Sequence, residues 1–310
     1  MPRSIVSLLT AALVCVVAAC APATPTPPPS AAAPSGSAAA GNPSVIPVIV
    51  STQQAVGSNR FVFSFLDPKT NLPAASPDRT ATVAFIPPGA TDPGPAVPGT
   101  FVWAIEGSRG DYVAMTDFPT AGDWKAVFVT QAKGGPQEAI GVGFDVLDKA
   151  STVGVGQPAP STTNPVAADV GGDLAKISSD PKPDPTFYQT TVADALAAHK
   201  PFVLVFATPA FCTSAQCGPT LDRVKAVAAA APKDVEFINV EPYQLSYATG
   251  KLQPVLDANN QLQTVDATNK WGLVSEPWIF TVGSDGIVKG SFEGVVGDDE
   301  LKAAVAAIAG

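Results

Sequence analysis

Two cysteines, Cys212 and Cys217, sit with four residues between them just after an apolar run, Phe202 to Phe206. The other two, Cys15 and Cys20, lie near the N-terminus. A thiol pair at the point where a strand turns into a helix can form a disulfide and exchange it with external thiols. When reduced, it can hold a soft metal ion. Spacing constrains the arrangement. In a regular helix, residues five apart have Cα atoms about 8.6 Å apart. A disulfide needs less than about 7 Å. Both cysteines therefore cannot lie in one regular helix and be bonded. Pro219, favoured in a first helical turn, leaves residues 212–217 as a loop that can close.

The elements that must position this loop follow a helix–strand order from Thr186 onward. Thr191–His199 reads as a short helix, Phe202–Ala207 as a strand buried on both faces, and Leu221–Ala230 as an amphipathic helix. Val235–Val240 is a second strand, parallel to the first by the crossover rule. Pro277–Val282 and Ile287–Phe292 flank Gly283–Gly286, a hairpin turn signal, and Asp298–Ile308 closes the chain as a helix with an acidic first turn.

The stretch from Val203 to Cys212, together with Cys217–Pro219, Glu276–Pro277 and Ser291–Gly294, resembles extracytoplasmic thioredoxin-like domains over residues 186–310. The resemblance implies an α/β thioredoxin-like fold, with Pro277 as a cis-proline facing the active site and Glu276 presenting backbone to a bound cysteine. Counted from the strand, Cys212 falls at the nucleophile position. Cys217-Gly-Pro instead resembles the start of the family motif and lies nearer the helix N-terminus, so either sulfur is a candidate attacker. Phe206 stands in the place of the family's buried acid, Thr220 in that of a second cysteine, and no tryptophan precedes Cys212.

Between about 44 and 150, β-rich stretches (45–50, 60–66, 80–86, 100–105 and 124–130) alternate with Pro/Gly/Asp clusters, as in an antiparallel sandwich. Gly110 to Trp124 resembles the closing hairpin of extracytoplasmic immunoglobulin-like modules, some linked to copper handling. Met115 reads as a packing residue. Residues 151–185 are rich in Pro, Gly, Ser and Thr and read as a linker with a partly ordered end. The expected fold is thus two domains, an all-β immunoglobulin-like sandwich at 44–150 followed by an α/β thioredoxin-like fold at 186–310.

Residues 1–20 read as a signal peptide, with Arg3 before an apolar stretch too short for a comfortable membrane span. Val17–Cys20 resembles a lipobox, which implies diacylation of Cys20. Ordinary cleavage and an uncleaved anchor are the alternatives. Cys15 leaves with the signal. Residues 21–43 form a Pro/Ala/Ser tether that cannot bury a core. These features place the folded part at the outer face of a bacterial plasma membrane, where disulfides persist.

A net charge of −9, with 18 Lys and Arg against 27 Asp and Glu, argues against nucleic acid as partner. The single histidine, His199, gives little material for a His-based metal centre or catalytic triad. No cofactor and no metal is expected. The expected function is a membrane-tethered thiol–disulfide oxidoreductase acting on exported protein thiols or disulfides. A non-catalytic adaptor with a structural Cys212–Cys217 bond is the competing reading, and copper handling a third. The oligomeric state is not legible.

Overall fold

The computed structural model describes residues 43–310. The signal peptide, Cys20 and the tether up to residue 42 lie outside the described residues. The N-terminal half is built from β1 (Ile46–Ile49), β2 (Gln54–Ala55), β3 (Gly57–Leu66), β4 (Thr80–Ile86) and β5 (Val97–Pro98), then β6 (Thr100–Ile105), β7 (Arg109–Phe118), β8 (Gly122–Gln131) and β9 (Gln137–Leu147). They form a four-stranded sheet, β1-β3-β7-β6, and a five-stranded sheet, β2-β9-β8-β4-β5.

Strand periodicity explains how these sheets pack. On β3 the odd positions Phe61, Phe63 and Phe65 are fully buried and meet Phe85, Tyr112, Phe118 and Phe128 in one aromatic core. Each such ring contributes roughly 1.5–3 kcal/mol of burial. The even positions of β3 point the other way. Val62 is also buried, in a small apolar cluster with Ala104, Val113 and Val295, and Ser64 donates to the Gly110 carbonyl at 2.8 Å. A strand that reads as nearly continuous apolar sequence is therefore covered on both faces, the second time by the C-terminal half.

That half contains α1 (Val192–Ala197), β10 (Phe202–Phe206), α2 (Cys217–Ala228), β11 (Glu236–Val240), β12 (Leu245–Ala248) and β13 (Lys251–Pro254), followed by α3 (Asp266–Lys270), β14 (Trp278–Val282), β15 (Val288–Glu293) and α4 (Asp298–Ala306). The four-stranded sheet has the order β11-β10-β14-β15. β10 pairs in parallel with β11, as the crossover rule requires, and antiparallel with β14. Every residue of β10 is buried. Val203 and Val205 pack with Leu221, Val224 and Leu301, whereas Leu204 and Phe206 pack with Trp271, Phe280 and Val288.

The expected pair of domains, an immunoglobulin-like sandwich followed by an α/β thioredoxin-like fold, is corrected by this architecture. Among the described residues strand accounts for 37 % and helix for 16 %, in four sheets, and these residues show no α/β thioredoxin-like fold. The helix signals were overread for physical reasons. The stretch expected as helix at Thr191–His199 holds only six helical residues and ends with His199 at a φ of 50°. Residues 243–264 form a hairpin and isolated bridges.

Residues 43–310 fall in one compact unit. The Pro/Gly/Ser-rich stretch from 151 to 185 is part of it. It carries two short 3-10 turns, with a third (Pro185–Tyr188) starting at its end, and buries Thr162, Asn164, Leu174, Ser178 and Asp180. Asn164 accepts from the Val192 amide at 3.0 Å, and the Val288 amide donates to the Gln157 carbonyl at 3.0 Å. Arginines join the two halves. Arg60 makes a two-point pair with Glu300 (2.8 and 2.9 Å), and Arg223 donates to the Trp103 carbonyl at 3.1 Å.

Candidate functional site

β10 ends at Phe206, and the chain turns through Thr208 to Phe211 before reaching Cys212. α2 begins at Cys217, so residues 212–216 form a loop and Pro219 lies in the first helical turn. Cys212 and Cys217 are joined by a disulfide with Cα atoms 6.0 Å apart, which agrees with the geometric argument from their spacing. The two sulfurs differ in environment. Cys217 is fully buried, packed among Leu221 and Val224, whereas Cys212 is half-buried at the edge of that core. The Cys217 amide donates to Cys212 Sγ at 3.3 Å, and the Ser214 hydroxyl lies 3.3 Å from the same sulfur.

The loop is held from three directions. Thr213 donates from its amide (3.1 Å) and its hydroxyl (3.0 Å) to Glu276 Oε1, and the Ser214 hydroxyl donates to the Glu276 carbonyl at 3.3 Å. Tyr243 donates to Glu276 Oε2 at 2.6 Å. Burial, reinforced by that carboxylate, pushes the Tyr243 phenol well above its ordinary range. From the N-terminal half, Arg109 donates to the Ser214 carbonyl at 3.2 Å. Within this loop Ala215 has a φ of 60°, in the left-handed region that alanine rarely adopts.

Pro277 is buried next to this loop, and the Glu276–Pro277 peptide is cis. The Pro277 carbonyl accepts from the Gly294 amide (2.9 Å), while the Gly294 carbonyl accepts from the Thr220 hydroxyl of α2 (3.1 Å). The structure thus brings Cys212, Cys217 and the Glu276–Pro277 segment together. A carboxylate oxygen of Glu276 and the two sulfurs lie within 4.8 Å of one another. Sequence reasoning valued Glu276 only for its backbone. It missed the carboxylate, Tyr243, Thr213 and Arg109. Tyr243 follows Glu241-Pro242 in an otherwise featureless stretch, and Arg109 comes from a distant strand, so neither carried a local signal.

A second polar cluster lies at the end of β11. Glu241 is buried and accepts from the Ser179 amide (2.6 Å) and hydroxyl (3.1 Å). Burial pushes its carboxyl up to about 7, opposed by hydrogen bonds from Thr208 and Ser179 and aided by the charge of Asp180. Ser179 also accepts from the Ala210 amide at 3.3 Å, which links this carboxyl to the turn leading into Cys212. Asp180 is neutralised by Lys225 of α2 at 2.8 Å.

Among the described residues, no helix is long and apolar enough to cross a membrane. No family model matches the chain, and no curated protein does. Among solved structures, a DUF4426 family protein from Pseudomonas aeruginosa PAO1 is 14 % identical over 30 % of this chain and 76 % of its own, with a TM-score of 0.21. A likeness that slight carries no argument about fold or function.

Proposed function

We propose that the protein is a thiol–disulfide oxidoreductase, tethered outside the plasma membrane through lipidated Cys20, that exchanges disulfides with exported protein thiols through Cys212 and Cys217. The observation that carries this reading is the asymmetry of the bond, with Cys212 reachable and Cys217 buried at the start of α2. An external thiolate attacks Cys212 Sγ. The electron pair of the S–S bond passes to Cys217, whose thiolate is stabilised by the helix N-terminus. A second external thiolate then attacks the mixed disulfide at the substrate sulfur and releases Cys212. The net result is a reduced Cys212–Cys217 pair and an oxidised substrate. In the reverse direction Cys212 attacks and Cys217 resolves. The Cys217 amide and Ser214 hydroxyl are placed to stabilise a Cys212 thiolate. Pro277 and Glu276 border the position a substrate sulfur would take.

The competing reading, a non-catalytic adaptor with a structural staple, draws on the dense hydrogen bonding of the loop. A reduction potential and insulin-reduction turnover separate the two. Exchange predicts turnover and capture of a mixed disulfide by Cys217→Ser but not by Cys212→Ser. A potential below about −300 mV with no turnover supports the staple instead.

A further inference from the structure

We propose that the reduced form of the loop is a zinc site, with Cys212 Sγ, Cys217 Sγ and a Glu276 carboxylate oxygen as ligands and water in the fourth position. The binding is therefore switched by the redox state of the cysteines. It goes beyond disulfide exchange and needs only that the disulfide can be reduced, not that it turns over substrates.

Geometry is the first support. The three donor atoms already lie within 4.8 Å of one another. Zinc–sulfur bonds of about 2.3 Å and a zinc–oxygen bond of about 2.0 Å at tetrahedral angles set S···S near 3.8 Å and S···O near 3.5 Å. Reduction lets the sulfurs part, and the carboxylate needs to close by only about an ångström. The Cα separation of 6.0 Å leaves the backbone in place for either state.

The surroundings are the second support. Metal-bound carboxylates are commonly held by outer hydrogen bonds. Glu276 has three such donors: Thr213 N and Thr213 Oγ1 occupy Oε1, whereas Oε2 accepts from Tyr243 OH alone and keeps a free lone pair for a metal. Cys212 is half-buried and gives an entry path, whereas Cys217 is shielded. Two thiolates beside a carboxylate place up to three negative charges in a partly desolvated spot. Arg109, bonded to the Ser214 carbonyl, brings one cation to this loop. A divalent cation relieves the remaining repulsion. The mixed sulfur–oxygen donor set suits borderline zinc, whereas Cu(I) would be satisfied by the thiolates alone.

The chemistry balances simply. An external dithiol supplies two electrons and two protons to cleave the S–S bond and is itself oxidised to a disulfide. Zinc then displaces the two thiol protons into solvent. The disulfide form has no thiolates and does not bind. Because zinc holds only the reduced form, free zinc at one hundred times Kd favours that form about 100-fold. This raises the reduction potential by about 59 mV.

The test uses the folded protein, reduced anaerobically with a phosphine, and zinc in competition with a colorimetric chelator. Co(II) serves as the spectroscopic substitute. One equivalent should bind to the reduced protein, with a thiolate-to-cobalt charge-transfer band and tetrahedral d–d bands, and none to the disulfide form. Glu276→Gln should weaken zinc by at least tenfold. Tyr243→Phe, which keeps all three ligands, should retain the stoichiometry with a loss of about 10-fold. Absence of binding to reduced wild-type protein, or equal binding by the oxidised form, overturns the proposal without any variant. Unchanged affinity in a folded Glu276→Gln protein also overturns it, since it leaves a two-thiolate site.

Discussion

Replacing Glu241 by glutamine should remove a pH-dependent weakness from the fold. The carboxyl is buried at the end of β11, with its ordinary value of 4.5 pushed up to about 7, chiefly by desolvation. Each tenfold change in proton affinity corresponds to about 1.4 kcal/mol, so this displacement is worth about 3 kcal/mol between the protonated and ionised limits. The sign follows from proton counting. Between about 4.5 and 7 the folded chain holds a proton on Glu241 that the unfolded chain has released, so stability falls as pH rises through that window. Its contribution is complete below 4.5 and lost above about 7. Glutamine keeps the shape, can accept from the Ser179 amide and carries no charge at any pH. Urea denaturation of both proteins at intervals from pH 4 to 8 measures the difference. The variant should match the wild type near pH 4 and exceed it at pH 8 by a few kcal/mol at most. Parallel stability curves through pH 4.5–7 would refute the reasoning, because they would mean that Glu241 takes up no extra proton on folding.

Two further substitutions probe the supports of the cysteine loop. Lys225→Met leaves the Asp180 carboxylate, whose side chain is 6 % exposed, without its cation. The expected loss is about 3 kcal/mol at neutral pH, read by thermal or urea unfolding. Ala215→Gly removes the left-handed penalty at a φ of 60° but adds freedom to the unfolded chain. The expected net gain is up to about 1 kcal/mol, and a clear loss would show that the alanine methyl contributes packing.

Much of the strand content was legible because it follows from simple periodicity. The stretches 80–86 and 100–105 coincide with β4 and β6. The loop constraint on Cys212 and Cys217 was legible too, since bond geometry alone excludes a shared helix. β9 escaped because Gly141, Gly143, Gln137 and Glu138 lower its strand propensity, although ten of its residues pair with β8. The β12–β13 hairpin turns through Thr249 and Gly250, both at positive φ, and threonine hides the usual Asn-Gly signature of such a turn. The stretch 151–185 reads as linker by composition. Its burial depends on polar side chains such as Asn164 and Ser178 finding distant partners, which hydropathy cannot register. The candidate site shows the same divide. Its cysteines and Pro277 lie in recognisable local strings. Its carboxylate cluster and Arg109 are assembled only by long-range folding, and short motifs shared with thioredoxin-like domains did not fix the architecture around them.

The bond from Arg109 to the Ser214 carbonyl has a consequence for selectivity if the proposed exchange reaction holds. The start of β7 is bonded to the loop that carries Cys212, so under the proposed exchange reaction a molecule approaching Cys212 would meet a loop held by both halves of the chain. Preference among approaching molecules can then be retuned by substitutions on the β6–β7 edge while the cysteine loop, α2 and Glu276 stay untouched. Under the proposed function, the support of the cysteine loop and the cysteines themselves are encoded more than a hundred residues apart, and each can change without the other.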